Sequence, residues 1–253
     1  MEKITFNYDN LGRMYDTGFE SNIVTYVNKE GKWELLKYFK RDLSKSKPLN
    51  YLYKDDKELS DEDIKRNKEK KLELLSKIDD DRIVKVHELV YDEDKFVGYT
   101  MDEIKGTRFE PLGSTRKEKI DYLTQIKDTM LSLNDKGIFI GDFNSRNFLV
   151  DDQGKVFNID IDNYKVNDLD FDTLTTYMRE YNQFGGDKKL IDRYCFNMFA
   201  ISILGRYALG YFNIDDVRLP FYMRNKYNNE VRQDMYMLGK NYKGKILEFK
   251  KKN

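Results

Sequence analysis

The chain has 253 residues, of which 36% are charged, with 45 acidic side chains against 45 basic ones. That length allows one large domain or two lobes sharing a cleft, and the balanced charge excludes a nucleic-acid protein that works through a basic field. Only 40% of residues are hydrophobic, but 19 Tyr and 16 Phe enlarge the core enough for folding, and three Pro with 15 Gly exclude a low-complexity or collagen-like chain.

The single cysteine, Cys195, has no internal disulfide partner, which points to a reducing, cytoplasmic setting. The opening MEKITFNYDN is too polar for a signal peptide. The most apolar run, residues 196–204, is too short to span a bilayer and is followed by Arg206, so no membrane partner is expected.

In chain order, residues 3–8 alternate through Ile4, Phe6 and Tyr8 and predict a leading strand. Residues 15–22, YDTGFESN, are turn-rich and run into a β-branched strand at 23–27. After the turn at 28–32, a second strand over Trp33–Phe39 carries Lys37, with Lys40 as a nearby competitor. Residues 54–77 are densely charged; Ser60 followed by Asp63 resembles a capping box and starts a helix with Leu72, Leu75 and Ile78 inward. Its glutamates, Glu69 and Glu73, also suit a solvated face with i,i+4 pairs. Two strands follow, at 83–90 and Lys95–Met101, around the turn at 91–94. His87, the only histidine, has no His or Cys partner nearby and reads as a strand residue, which argues against a zinc site or a His-based triad.

Residues 116–136 have the helical period, with Ile120, Leu123, Ile126, Met130 and Leu133 on one face and Gly137 as the stop. The stretch GDFNSRNFLVDDQGKVFNIDIDNY over 141–164 then opens on Asp142, with Asn147 five residues later. Phe148–Val150, a turn at 151–154 and a strand at 156–159 lead to Asp160 and Asp162. Asp142, Asn147 and Asp160 are hard oxygen donors, suited to Mg²⁺ and phosphate and unsuited to a soft metal. Residues 165–186 are polar and Tyr-rich with no clear strand, 192–204 form a helix apolar nearly all round, and 214–240 hold further helices before a Lys-rich tail.

This order resembles the protein-kinase-like superfamily. The blocks Ile140-Gly141-Asp142 with Asn147, and Asp160-Ile161-Asp162, are similar to its catalytic loop and metal-binding segment. The lack of an Arg before Asp142 is closer to the aminoglycoside-phosphotransferase and atypical small-kinase branch. The resemblance implies an α+β, bilobal fold: a sheet-rich N-lobe over 1–101, a hinge at 102–106 and a mainly helical C-lobe over 107–253. It implies ATP and Mg²⁺ as cofactors and a hydroxyl-bearing acceptor, protein or small molecule, as partner. Asp142 becomes the catalytic acid–base residue, with Arg146 as a supporting cation. Asn147 and Asp160 become metal ligands, and Lys37 binds the α/β phosphates. Gly18 takes the place of the phosphate loop, nineteen residues before Lys37, with Asp16 and Ser21 where two of three glycines usually lie. Glu69, preferred over Glu73, becomes the helix acid that pairs with Lys37. Met101 guards the adenine pocket, the backbones of Asp102 and Ile104 bond the adenine edge, and Leu149 forms its floor under Ile23 and Leu35. Asp192 anchors the catalytic loop. Asp162 stands where the family has Gly and is either a second metal ligand or a turn residue, the turn being favoured. The degraded glycine loop leaves a second reading open: a pseudokinase, binding nucleotide and docking a partner.

Overall fold

The structure, a computed structural model, describes residues 1–17, 21–28, 30–40, 61–110, 113–172, 174, 175, 178 and 190–204. Gly18, Ser60 and the helices expected at 214–240 lie outside the described residues. The chain divides into two compact units, one of Met1–Lys105 with Ile159–Thr173, the other of Gly106–Asn158 with Leu174–Asn253.

The first unit is built on a six-stranded sheet. Its strands are β1 (Glu2–Thr5), β2 (Leu11–Thr17), β3 (Ser21–Val27), β4 (Trp33–Phe39), β5 (Val86–Asp92) and β6 (Lys95–Met101), in the order β1-β5-β6-β4-β3-β2. β3, β4 and β6 pair antiparallel, while β1 runs parallel to β5 at one edge. Period-two alternation puts Leu36 and Tyr38 of β4 on one face and Leu35, Lys37 and Phe39 on the other. Leu36 joins Ile4, Val24, Tyr26 and Val90 in one apolar cluster. The opposite face receives Phe39, which packs against Phe96 and Tyr99, beside the helix α1 (Asp61–Leu75). Leu72 and Leu75 of α1 are buried as expected, whereas Ile78 is only half-buried.

β2 differs from the expected turn-rich segment: residues 11–17 form a strand, with register shifts between Leu11, Met14 and Asp16. Gly12 is required there, because a Cβ would sit 2.6 Å from the Trp33 ring and 2.3 Å from Thr25 Oγ1. β1 is also shorter than predicted, giving way to a 3₁₀ turn at Tyr8–Asn10.

In the second unit, α2 (Arg116–Asn134) opens on a complete capping box. Thr115 Oγ1 accepts from Glu118 N–H at 3.3 Å, and the Glu118 carboxylate accepts from Thr115 N–H at 2.6 Å. Leu123, Ile126, Thr129, Met130 and Leu133 are its buried face, and Gly137 turns out of the helix at φ 74°. β7 (Thr107–Arg108), β9 (Phe148–Val150) and β10 (Val156–Asn158) make a small antiparallel sheet; β8 (Ile138–Phe139) precedes the loop at Asp142. A further two-residue strand, β11, spans Lys165–Val166 in the first unit. Gly106 lies so close to β9 that a Cβ would meet Val150 O at 2.7 Å. Helix α3 (Ile191–Leu204) carries Phe196 and Phe199, which with Phe109, Phe143 and Phe148 form an aromatic cluster. Cys195 is buried in the same helix. Among the described residues, no helix is long and apolar enough to cross a membrane.

Candidate functional site

In the first unit the candidate side chains converge on Lys37. It points from β4 towards Tyr99, its register partner on β6, and is 7% exposed. Its ammonium donates to the carboxylates of both Asp160 and Asp162. Burial alone would depress the Lys37 pKa; the Asp160 and Asp162 charges overcome it and hold the amine well above the ordinary lysine value. Asp162 sits in a turn closed by Tyr164 N–H to Ile161 O at 3.1 Å. Its side chain is not the solvated group that a turn position suggests: it is 3% exposed, and Oδ2 accepts from Lys68 Nζ at 2.6 Å. Burial pushes its carboxyl up, but Lys37 and Lys68 outweigh that and hold it well below the usual carboxylate range. The Asp160 side chain remains 41% exposed. Burial and the Asp162 charge raise its pKa against the pull of Lys37, and contact with water damps that rise.

The expected helix acid is corrected here. Glu69 does not meet Lys37; it accepts from Lys3 Nζ at 3.0 Å and from the Tyr91 hydroxyl at 2.5 Å. Glu73 lies 3.9 Å from the same Lys3. The physical reason is rotation of α1: the residues it turns inward are Ile64, Lys68, Lys71, Leu72 and Leu75, so a lysine occupies the place assigned to the acid. Lys71 forms an ion pair with Asp172 at 3.0 Å, in a geometry that falls short of a hydrogen bond. Lys68 left no sequence signal, because a lysine in a charged helix looks solvated until its partners, Asp162 and Asp172, are known.

After β6, Asp102 donates its backbone N–H to Lys85 O at 3.2 Å, and its carboxylate meets His87 Nε2 at 2.7 Å. Ile104 is half-buried two residues on.

In the second unit, the loop after β8 is held from below. Asp192, fully buried at the start of α3, accepts from Ile140 N–H at 2.8 Å and from Gly141 N–H at 2.7 Å. Asn134, with its amide in its hydrogen-bonding orientation, donates to Asp192 Oδ2 at 2.9 Å and to Ile138 O at 2.9 Å. Burial raises the Asp192 carboxyl to about 7, against the pull of the two backbone donors. Gly141 takes φ 66°, a conformation open to glycine. Asn147 then donates to Asp142 O at 3.1 Å and to Asp142 Oδ2 at 3.0 Å. A 3₁₀ turn at Ser145–Asn147, capped by Asn144, sets that spacing. Arg146 is exposed on this turn. Leu149 points opposite to buried Phe148 and Val150 and is half-buried.

No protein-family model and no curated protein matches the chain. Many solved structures do. One is a double mutant of the PknI kinase domain of Mycobacterium tuberculosis. It aligns at a TM-score of 0.58 and 15% identity, over 76% of this chain and 73% of that one. The fold is protein-kinase-like. At that identity the likeness speaks for the fold alone, and it does not single out the aminoglycoside-phosphotransferase branch.

Proposed function

We propose that the chain is a phosphotransferase that moves the γ-phosphoryl group of ATP, in the presence of Mg²⁺, to a hydroxyl acceptor. The observation that carries this reading is the pairing of Lys37 with Asp160, residues 123 positions apart in sequence and joined at one part-buried corner of the kinase-like fold. A strand lysine and the first acid of the Asp-x-Asp segment are the two groups such an enzyme needs at the triphosphate.

Among the described residues, no cluster of three or more His, Cys, Asp or Glu is set to hold a metal on protein atoms alone. The donor chemistry nonetheless fits Mg²⁺, which takes one or two protein oxygens together with phosphate. Asp160 offers a partly exposed carboxylate. Asn147 spends its amide nitrogen on Asp142, and its amide oxygen is a hard donor. Each is a residue that would ligate the ion, which when bound supplies charge screening on the phosphate oxygens. Lys37 binds the α/β phosphates. Asp142 orients the acceptor hydroxyl and takes its proton as the new oxygen–phosphorus bond forms and ADP leaves. Asp102 and Ile104 offer backbone groups to the adenine edge, and Leu149 its apolar floor. Asn144 stands where Ser/Thr kinases carry a Lys two residues after the catalytic Asp, and exposed Arg146 offers a cation in its stead. The acceptor is a protein or a small molecule.

Isothermal titration with Mg²⁺·ATP tests this. Asp160→Ala should lose Mg²⁺-dependent ATP binding; unchanged binding would remove the assignment. A second reading is favoured by one observation, the turn of Glu69 away from Lys37. In it the chain is a pseudokinase that binds nucleotide and docks a partner. Labelled ATP separates the two: label on the protein or on a supplied acceptor supports transfer, whereas a thermal shift without transfer supports the docking module.

A further inference from the structure

Three lysines and three aspartates are gathered on the helix-facing side of the sheet: Lys37, Lys68 and Lys71 with Asp160, Asp162 and Asp172. The charges balance. Lys68 is the centre of the set. It is 1% exposed, its Nζ lies 2.6 Å from Asp162 Oδ2 and 3.6 Å from Asp172 Oδ2, and it stands over the Phe39 ring at 5.3 Å. Asp162 thereby has one oxygen on Lys37 and the other on Lys68, with the Tyr99 hydroxyl 3.4 Å from the first.

We propose that Lys68 is a positioning residue for the nucleotide: it holds Asp162, and through Asp162 it holds Lys37, so a lysine–aspartate–lysine chain replaces the link from a helix glutamate. The inference rests on the phosphotransfer reading above. Its physical content is a matter of charge. Without Lys68, two carboxylates would share the single ammonium of Lys37. An incoming phosphate drawing Lys37 away would then leave Asp162 buried and unpaired, which is costly. With Lys68 present, Asp162 stays neutralised, and Lys37 is able to exchange Asp160 for phosphate while keeping its hold on Asp162.

The test uses the full chain and two readouts. The first is Mg²⁺·ATP affinity by titration calorimetry. Lys68→Met should weaken it about tenfold or more, as loss of an orienting partner does. Lys68→Arg, which keeps the cation, should recover most of that, to within about threefold. Lys70→Met, an exposed lysine on the same helix, should stay within about twofold. If Lys68→Met does not fold, Lys68→Gln, whose amide still donates towards Asp162 without a charge, should show the same loss. Unchanged affinity in whichever of these folds overturns the proposal, as does an equal loss in Lys70→Met. The second readout is a urea double-mutant cycle in nucleotide-free protein on Lys68→Met and Asp162→Asn. The double variant should lose less than the sum of the singles, and additive losses overturn the pairing. A wild-type chain that binds no Mg²⁺·ATP overturns the functional reading instead, and the urea cycle still decides the pairing.

Discussion

At the scale of single residues, Asp142 and its neighbour Asn147 divide the work. Asn147 fixes the Asp142 carboxylate by donating to it, and in the proposed reading this aims the acid before any substrate arrives. Asp142→Asn keeps the size of the side chain and removes the base. It should leave Mg²⁺·ATP affinity within about twofold while lowering single-turnover transfer by about a hundredfold or more. A parallel loss of affinity would show that Asp142 acts in binding. The pair Lys71 and Asp172 poses a different question, since burial lowers the Lys71 pKa and raises that of Asp172, each against the pull of its partner. Removing Asp172 leaves Lys71 buried without its counter-ion, at a cost of about 3–5 kcal/mol, whereas removing Lys71 leaves Asp172 the longer ion pair to Lys68 at 3.6 Å. The joint change Lys71→Met/Asp172→Leu should cost much less, by urea midpoints. In the proposed reading the two sites differ in kind: one serves chemistry, the other charge balance.

At the scale of elements, two close approaches set the geometry. β6 passes so near β4 that a Cβ on Gly98 would meet Lys37 O at 2.3 Å and Tyr38 Cα at 2.8 Å. Both are backbone atoms, so Gly98→Ala must push β4 aside. The expected loss is about 1–3 kcal/mol of stability by urea denaturation, of the size seen for overpacking. Nucleotide affinity should weaken with it, because Lys37 rides on the displaced strand. Helix α3 acts on the loop through Asp192. Its carboxyl is raised in the folded state from 3.8 to about 7, so between those values the native protein holds a proton the unfolded chain has released. The resulting stability is fully present below the unfolded value and is lost as pH rises through about 7. It amounts to about 4 kcal/mol at most. Donation from Asn134 makes it smaller. Urea midpoints at acid and neutral pH should therefore differ less in Asp192→Asn than in the wild type.

Elements also explain what can be read from the letters. The strands Trp33–Phe39 and Lys95–Met101 are legible because apolar and aromatic residues crowd them between turn residues, and α2 because its apolar residues keep the helical period. The capping box of α2 is equally visible in Thr115 and Glu118, three residues apart. β2 is not legible. It is exposed almost throughout and shifts register twice, so it presents no alternation to find. The loop from Asp142 to Asn147 is legible as a spacing, since a 3₁₀ turn leaves little freedom between the two. The buried lysines of α1, Lys68 and Lys71, are not. Their burial depends on acids about a hundred positions downstream, and no local pattern records such a partner.

At the scale of the whole molecule, the first unit is discontinuous: residues 159–173 belong to it and bring Asp160, Asp162 and Asp172 to the lysines of Met1–Lys105. A fragment ending at residue 105 would hold three buried ammonium groups without their carboxylates. Such a fragment should not reach a cooperative fold, and its circular dichroism should melt without a sharp transition. A version carrying residues 159–173 on a flexible linker should regain one. Equal behaviour of the two would mean that the ion pairs are dispensable for assembly.

The single thiol of the chain, Cys195, lies within α3 in the second unit, while the charged network lies in the first. A slow thiol reagent would therefore report how often α3 is exposed and say nothing directly of the strands around Lys37. Substitutions in the lysine network that loosen only their own unit should leave its labelling rate unchanged. Any acceleration would measure how far the two units unfold as one.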